Sequence, residues 1–232
     1  RQSLDIYPRN LILRQLKNDL ELNDKTSQSN QFECKKINHV IAEIFYVVSN
    51  ALAAESLYAL SNFYLNMAIY LNPNFISFKT LLAENFYLLK FYKNSSKIYY
   101  DIKKGGEVYS WYASKQITKI LVQKDKEKKG FIFLTKTFNA INDPTLNEMY
   151  DFATFLKNNE KFKEAILLYS NVLEKIDDKH TLYPSVLEGR GVAYERSGEW
   201  DKAEKDLIAS LESMPDQALS LIHISEPTRL GM

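Results

Sequence analysis

The sequence predicts an all-α chain, an α-solenoid of about five stacked antiparallel helix pairs, and three observations carry that prediction. Small residues recur in two sets: Ser49, Ala83, Thr118, Ala153 and Gly191 in one, Ser61, Ser95, Gly130, Ala165 and Ala203 in the other. Both sets step by 34, 35, 35 and 38 residues, and a fixed period of that size marks stacked supersecondary units rather than one globular core. Aromatic residues fall at helical spacing, as in Phe63, Met67 and Tyr70. The 15 Tyr and 13 Phe, which elsewhere favour strands, therefore read as filler between helices. Only 7 Gly and 6 Pro in 232 residues leave little room for a loop-rich or β-sandwich chain.

Taken in order, residues 1–41 read as an N-terminal helix and linker. Leu13, Leu16 and Leu20 place a helix over residues 10–22, a polar linker follows over 23–31, and the segment reads as part of a degenerate repeat. The array covers residues 42–217, with units at about 42–75, 76–110, 111–145, 146–183 and 184–217. Two antiparallel helices cross closely only where a side chain is small, so the first set of small residues should face the second. Lys93-Asn94, Asn158-Asn159-Glu160 and Ser197-Gly198-Glu199 read as the polar breaks between paired helices, with Phe162 and Trp200 covering the last two. Pro73, Pro144, Pro184 and Pro215 mark unit borders, where a helix stops or where a first-turn proline is tolerated. Residues 218–232 abandon the pattern.

The clearest unit runs over residues 184–215 and reads Leu187, Arg190-Gly191, Tyr194, Ala203, Leu207 and Pro215. It resembles the tetratricopeptide pattern W-x2-L-G-x2-Y…A-x3-F…P, with Leu187 for Trp, Arg190 for Leu and Leu207 for Phe. Arg190 is the departure that changes chemistry. Four upstream units follow in phase: Met149, Phe152-Ala153, Leu156, Ala165, Tyr169; Ser114, Ile117-Thr118, Leu121, Gly130, Leu134; Lys79, Leu82-Ala83, Phe86, Ser95, Tyr99; and Phe45, Val48-Ser49, Leu52, Ser61, Leu65, Pro73. Narrower strings at residues 39–45 (HVIAEIF), 64–73 (YLNMAIYLNP) and 189–206 (GRGVAYERSGEWDKAEKD) resemble a tetratricopeptide family of alphaproteobacteria. That resemblance implies a bacterial protein with an export signal, placed in the periplasm or cell envelope; the cytoplasm is the alternative. The chain begins at Arg1 and reads as a piece of a longer frame, while residues 221–229 (LIHISEPTR) resemble translated read-through of a sequencing adapter, which implies a non-native tail.

Composition excludes several classes of function. With 30 basic and 29 acidic residues and a formal charge of +1, nothing advertises a nucleic-acid or anionic-membrane surface. The most basic stretch, residues 124–129, is interrupted by Asp125 and Glu127 and reads as a solvated loop. No window holds 18 consecutive apolar residues, so no transmembrane segment is expected. The single cysteine, Cys34, forms no internal disulfide and reads as a small apolar helix residue. His39, His180 and His223 are scattered, and Gly105-Gly106 lacks the Lys-Ser/Thr of a phosphate loop. No catalytic, cofactor or metal site is expected, and the chain reads as a non-enzyme.

The tetratricopeptide resemblance implies a concave groove lined by the first helix of each unit. It places there Glu43, Tyr46 and Asn50, then Thr80, Glu84 and Tyr87, then Tyr112, Lys115 and Lys119. Asn147, Tyr150 and Thr154 follow, and last Glu188 and Glu195. Tyrosine offers amphipathic contact area and Asn can bond a peptide backbone, so a protein partner presenting an extended peptide or a helix fits such a groove. Only Lys115 and Lys119 resemble the Lys/Asn set with which family members clamp a C-terminal carboxylate, which argues against a chaperone-tail co-receptor. The leading expectation is a non-catalytic protein-binding scaffold. Behind it stand a substrate-recruiting arm of a larger enzyme and an RNA-binding helical repeat, the last opposed by the groove's acidic residues.

Overall fold

The computed structural model describes residues 10–21 and 32–213; the tail and the polar linker lie outside the described residues. Among these residues the chain forms eleven α-helices, one short 3-10 turn and no strand. They are α1 (Leu11–Glu21), α2 (Ile37–Ala54), α3 (Tyr58–Leu71), α4 (Ile76–Leu88), α5 (Tyr92–Ile102), α6 (Glu107–Gln123), α7 (Glu127–Asn139), α8 (Leu146–Asn158), α9 (Phe162–Leu173), α10 (Tyr183–Arg196) and α11 (Trp200–Ser213). The chain divides into two compact bodies after Ala140. The first holds the pairs α2/α3, α4/α5 and α6/α7, and the second holds α8/α9 and α10/α11.

The small residues do what their spacing demands. All ten are buried. Ser61 Oγ donates across the α2/α3 crossing to the Ser49 carbonyl at 2.9 Å, and Ser95 Oγ donates to the Ala83 carbonyl at 2.8 Å in α4/α5. At α6/α7 a Cβ on Gly130 would already touch Thr118 at 3.4 Å, and at α10/α11 a Cβ on Gly191 would meet Leu207 at 2.9 Å. The backbones approach until hydroxyl and carbonyl pair directly, which no larger side chain would allow.

The five turns inside the pairs share one geometry. Each has a residue with positive φ seven positions after the first small residue: Ser56 (61°), Lys90 (62°), Asp125 (54°), Glu160 (60°) and Gly198 (80°). Each closes with the same two backbone hydrogen bonds. In α4/α5 these are Phe91 N to Phe86 O at 2.8 Å and Lys90 N to Tyr87 O at 2.9 Å; in α10/α11 they are Glu199 N to Tyr194 O at 2.9 Å and Gly198 N to Glu195 O at 3.0 Å. This is the Schellman ending, whose left-handed residue is most often glycine. Only one of the five is glycine here. The second turn accordingly falls at Leu89-Lys90-Phe91, and the expected break at Lys93-Asn94 is corrected: both residues lie inside α5.

Between pairs, Leu65 and Ala68 of α3 pack with Phe78 and Leu82 of α4, and Tyr99 and Ile102 of α5 pack with Tyr109, Ala113 and Ile117 of α6. A buried polar link crosses the first junction: Asn85 Nδ2 donates to Ser61 Oγ at 2.8 Å and to Asn62 Oδ1 at 2.9 Å. In the second body Arg190, standing where the repeat pattern has Leu, makes a two-pronged pair with buried Asp206 at 2.7 and 2.9 Å and donates to Ser170 at 3.0 Å. It thereby ties α9, α10 and α11 together. Helix α8 opens on a reciprocal cap, Thr145 Oγ1 accepting from Glu148 N and Glu148 Oε2 accepting from Thr145 N. Pro184 occupies the first turn of α10, the position where its missing N–H costs nothing.

Two further expectations are corrected. Cys34 lies in an exposed turn ahead of α2, not in a helix. Helix α1 packs against the start of α6, where buried Gln15 accepts from Val108 N at 3.0 Å, and Leu16 and Leu20 remain exposed. Helix α2 is also long and apolar enough, by length and composition, to cross a membrane. Glu43 and Asn50 interrupt its apolar run, so an unbroken stretch of 18 apolar residues does not mark it.

Candidate functional site

In the first body the predicted groove residues sit on three successive first helices, α2, α4 and α6. Glu43, Tyr46 and Asn50 share one face of α2, where the Tyr46 ring lies 5.1 Å from that of Phe78. Asn50 is exposed and donates to the Tyr46 carbonyl at 2.9 Å. Burial raises the Tyr46 phenol above its ordinary value, its hydrogen bond with Asn50 offsets part of the rise, and the charges of Glu43 and Glu84 add to it. Burial likewise raises Glu43, whose Oε2 is buried without a hydrogen-bond partner.

The Glu84 charge reaches tyrosines on three other helices. Glu84 is exposed on α4, and it raises the phenols of Tyr46, Tyr99 and Tyr112, from α2, α5 and α6. Tyr112 is pushed up to about 12, by burial first and by Glu84 next. Tyr99 is held higher still by burial, and the two rings meet edge to face at 6.1 Å. Lys119 lies over the Tyr87 ring at 4.8 Å, a cation–π contact that keeps the ammonium exposed while ordering both side chains. Thr80 spends its hydroxyl on the Ser77 carbonyl at 2.7 Å, and Lys115 is half-buried on α6.

In the second body Tyr150, Thr154 and Glu188 come together around a residue that was not predicted, Tyr169 of α9. Its hydroxyl lies 2.9 Å from Thr154 Oγ1, and its ring is 6.0 Å from that of Tyr150. Tyr150 also hydrogen-bonds Ser185, and the Glu188 charge raises both phenols. Gly189 makes room: a Cβ there would lie 2.6 Å from the Tyr169 hydroxyl. Asn147 lies in the first turn of α8, and Glu195 is exposed near the end of α10. Tyr99 and Tyr169, two periods apart on second helices, are the residues that first-helix reasoning omits; each occupies the large-residue position of its own repeat.

The histidines within the described residues cap turns. His39 Nδ1 accepts from Glu33 N at 3.0 Å, and His180 Nδ1 accepts from Leu182 N at 3.1 Å. Among the described residues no three of His, Cys, Asp and Glu gather as metal ligands.

No family model and no curated protein matches the sequence. Solved structures do. The crystal structure of BtubC (BKLC) from P. vanneervenii is similar with a TM-score of 0.59 at 10% identity, over 77% of this chain and 82% of that one. A Podosopora anserina putative kinesin light chain with nearly identical TPR-like repeats is similar with a TM-score of 0.55 at 9% identity, over 75% of this chain and 95% of that one. The fold is that of tetratricopeptide repeats. The APC/C hetero-tetramer Cut9-Hcn1 gives a TM-score of 0.53 at 15% identity, with 97% of this chain spanning 45% of that one. At these identities the likeness carries the fold alone, and the narrower alphaproteobacterial resemblance gains no support from it. What the tetratricopeptide frame adds is an order: first helices side by side within each body, presenting Glu84 and Glu188 beside buried tyrosines.

Proposed function

We propose that this tetratricopeptide chain is a non-catalytic protein-binding scaffold. A concave groove in each body would receive an extended peptide or a partner helix. The observation that carries the reading is the group around Glu84. The charge of exposed Glu84 reaches the phenols of Tyr46, Tyr99 and Tyr112, the Tyr99 and Tyr112 rings meet at 6.1 Å, and Lys119 is held over Tyr87. Tyr46, Tyr87 and Tyr112, half-buried and ordered by Phe78, Lys119 and the buried Tyr99 ring, offer apolar and hydrogen-bonding surface at little entropic cost, while the exposed acid and ammonium set the direction of a peptide's charges. Acidic residues at Glu43, Glu84, Glu188 and Glu195 oppose a nucleic-acid backbone.

The test is a peptide selected from a random library on the wild-type chain, its affinity then measured by fluorescence anisotropy. Lys115→Glu with Lys119→Glu should weaken a first-body ligand about tenfold or more at an unchanged melting temperature. Glu188→Lys should do the same for a second-body ligand. A peptide indifferent to both changes contradicts the reading.

A further inference from the structure

The formal charge of +1 conceals a separation of charge along the chain. Residues 90–136 hold 12 of the 30 basic residues and 4 of the 29 acidic ones, and all twelve of the basic residues are lysine. Most of that excess lies on the second helices α5 and α7 and in the turns beside them, on other elements than the first-helix groove. Lys124 stands over the Tyr92 ring at 5.9 Å, Lys103 over the Phe133 ring at 4.9 Å, and the Tyr100 and Phe133 rings meet at 6.4 Å. Residues 92 and 100 thus match residues 124 and 133, so α5 and α7 run side by side in the same direction over roughly 12 Å at the helical rise. Along this seam Lys93 and Lys97 are exposed on α5, and Lys129 is exposed one turn before Phe133 on α7.

The seam lacks its counter-charge. Lys93 and Lys97 stand four residues apart on one helix, where like charges oppose each other, and the one carboxylate of α5, Asp101, is already engaged by Lys79 at 3.0 Å and Lys104 at 3.6 Å. Burial pulls the Lys103 ammonium below its ordinary value, and no carboxylate among the described residues pairs with it. The rings hold two of these ammonium groups in place ahead of any ligand. Charge complementarity therefore calls for an anion, and the surroundings favour carboxylates. A single-stranded nucleic acid stacks its bases on open ring faces, whereas the Tyr92 and Phe133 faces are covered by Lys124 and Lys103. No Arg stands in the segment to take a phosphate by two prongs. A bilayer surface needs an apolar helix face, and α5 exposes one large hydrophobic residue, Tyr100. We propose that the seam between α5 and α7 docks an acidic segment of a partner protein, whose Asp or Glu side chains meet Lys93, Lys97, Lys103 and Lys129 while an apolar one lies on Tyr100.

Fluorescence anisotropy of the full chain at physiological salt tests this, with a labelled peptide of four Glu-Ala-Glu-Leu repeats as the probe. The wild type should bind it saturably, at least about tenfold tighter than the same peptide with Gln in place of Glu. Lys97→Glu with Lys129→Glu should weaken binding about tenfold or more, and Tyr100→Ser should weaken it about threefold with no change of charge. The replaced side chains are exposed, so helical circular dichroism and melting temperature should hold. Lys161→Glu with Lys163→Glu makes the same charge change at exposed positions of the second body and should leave binding as it was. An equal loss in that control overturns the proposal, because attraction to net charge alone would then account for the binding. So do equal affinity for the Gln peptide, a Tyr100→Ser variant that binds as the wild type does, and tighter binding of a sixteen-nucleotide polyuridine or of phosphatidylserine vesicles at the same salt.

Discussion

Replacing Gly198 by alanine isolates the cost of the turn that recurs in all five repeats. Gly198 has φ of 80°, and a Cβ built on it finds no atom within 4 Å, so no packing or clash contributes. What remains is backbone. A non-glycine residue in the left-handed region costs roughly 1–2 kcal/mol, and alanine recovers about 0.4–1 kcal/mol by restricting the unfolded chain, leaving a net destabilisation of about 1 kcal/mol. The reverse experiment sits in the other turns. Lys90 and Glu160 already hold φ of 62° and 60°, so Lys90→Gly and Glu160→Gly should each stabilise by about 0.5–1 kcal/mol. Asp125→Gly should gain less, because Asp tolerates that region better. Urea unfolding followed by circular dichroism reads all four, with midpoint shifts at unchanged slope. A neutral Gly198→Ala together with a destabilising Lys90→Gly would refute the shared-turn argument.

Removing Asp206 strands the Arg190 guanidinium inside the second body, so Asp206→Ala should cost about 3 kcal/mol, whereas Arg190→Leu with Asp206→Leu should recover most of that loss; equal losses in a double-mutant cycle would show that the pair does not couple. Ala165 and Ala203 are 0% and 3% exposed, so leucine at either should cost about 1–3 kcal/mol by overpacking, and an unchanged denaturation midpoint would contradict the crossing points. Tyr112, pushed up to about 12 by burial, stays protonated in the folded chain while its unfolded counterpart ionises near 10. The folded state then binds more protons, so the contribution of Tyr112 to stability is intact below about pH 10 and is lost as pH rises from about 10 to 12. Well below pH 12 its phenolate absorbance should appear only with unfolding, which a Tyr112→Phe difference titration checks.

How much of this was legible in the sequence follows from what each feature depends on. The period and the crossing points were legible because a close helix crossing admits only small side chains, and Ser49, Ala83 and Gly191 meet that demand by size alone. Two turns were legible, at Ser197-Gly198-Glu199 and at Asn158-Asn159-Glu160, where polar residues break the helical pattern. At Ser56 and Lys90 the left-handed residue has no local mark, because the two flanking helices impose it; that is why Lys93-Asn94 looked like the break. Helix α1 was readable as a helix from Leu13, Leu16 and Leu20, but its seat on α6 rests on Gln15 and Val108, 93 residues apart, which no local pattern encodes. Arg190 marked itself as a departure from the repeat, and buried Asp206, 16 residues on, was the available sign of its partner. Tyr99 and Tyr169 were visible as repeat positions, yet their reach toward first-helix tyrosines needed the space at Gly189 and the ring of Tyr112 to be seen in place.

The binding claim is tested most directly by tyrosine-selective NMR. The chain is labelled on its tyrosine ring carbons, its signals are assigned by single Phe replacements, and it is titrated with the selected peptide at fixed protein concentration. For a first-body ligand the account predicts that Tyr46, Tyr87 and Tyr112 shift together and saturably, while Tyr70 and Tyr100, 86% and 50% exposed and outside the groove set, do not move. Saturable shifts at Tyr70 and Tyr100 with Tyr46, Tyr87, Tyr112 and Tyr150 unmoved would contradict it.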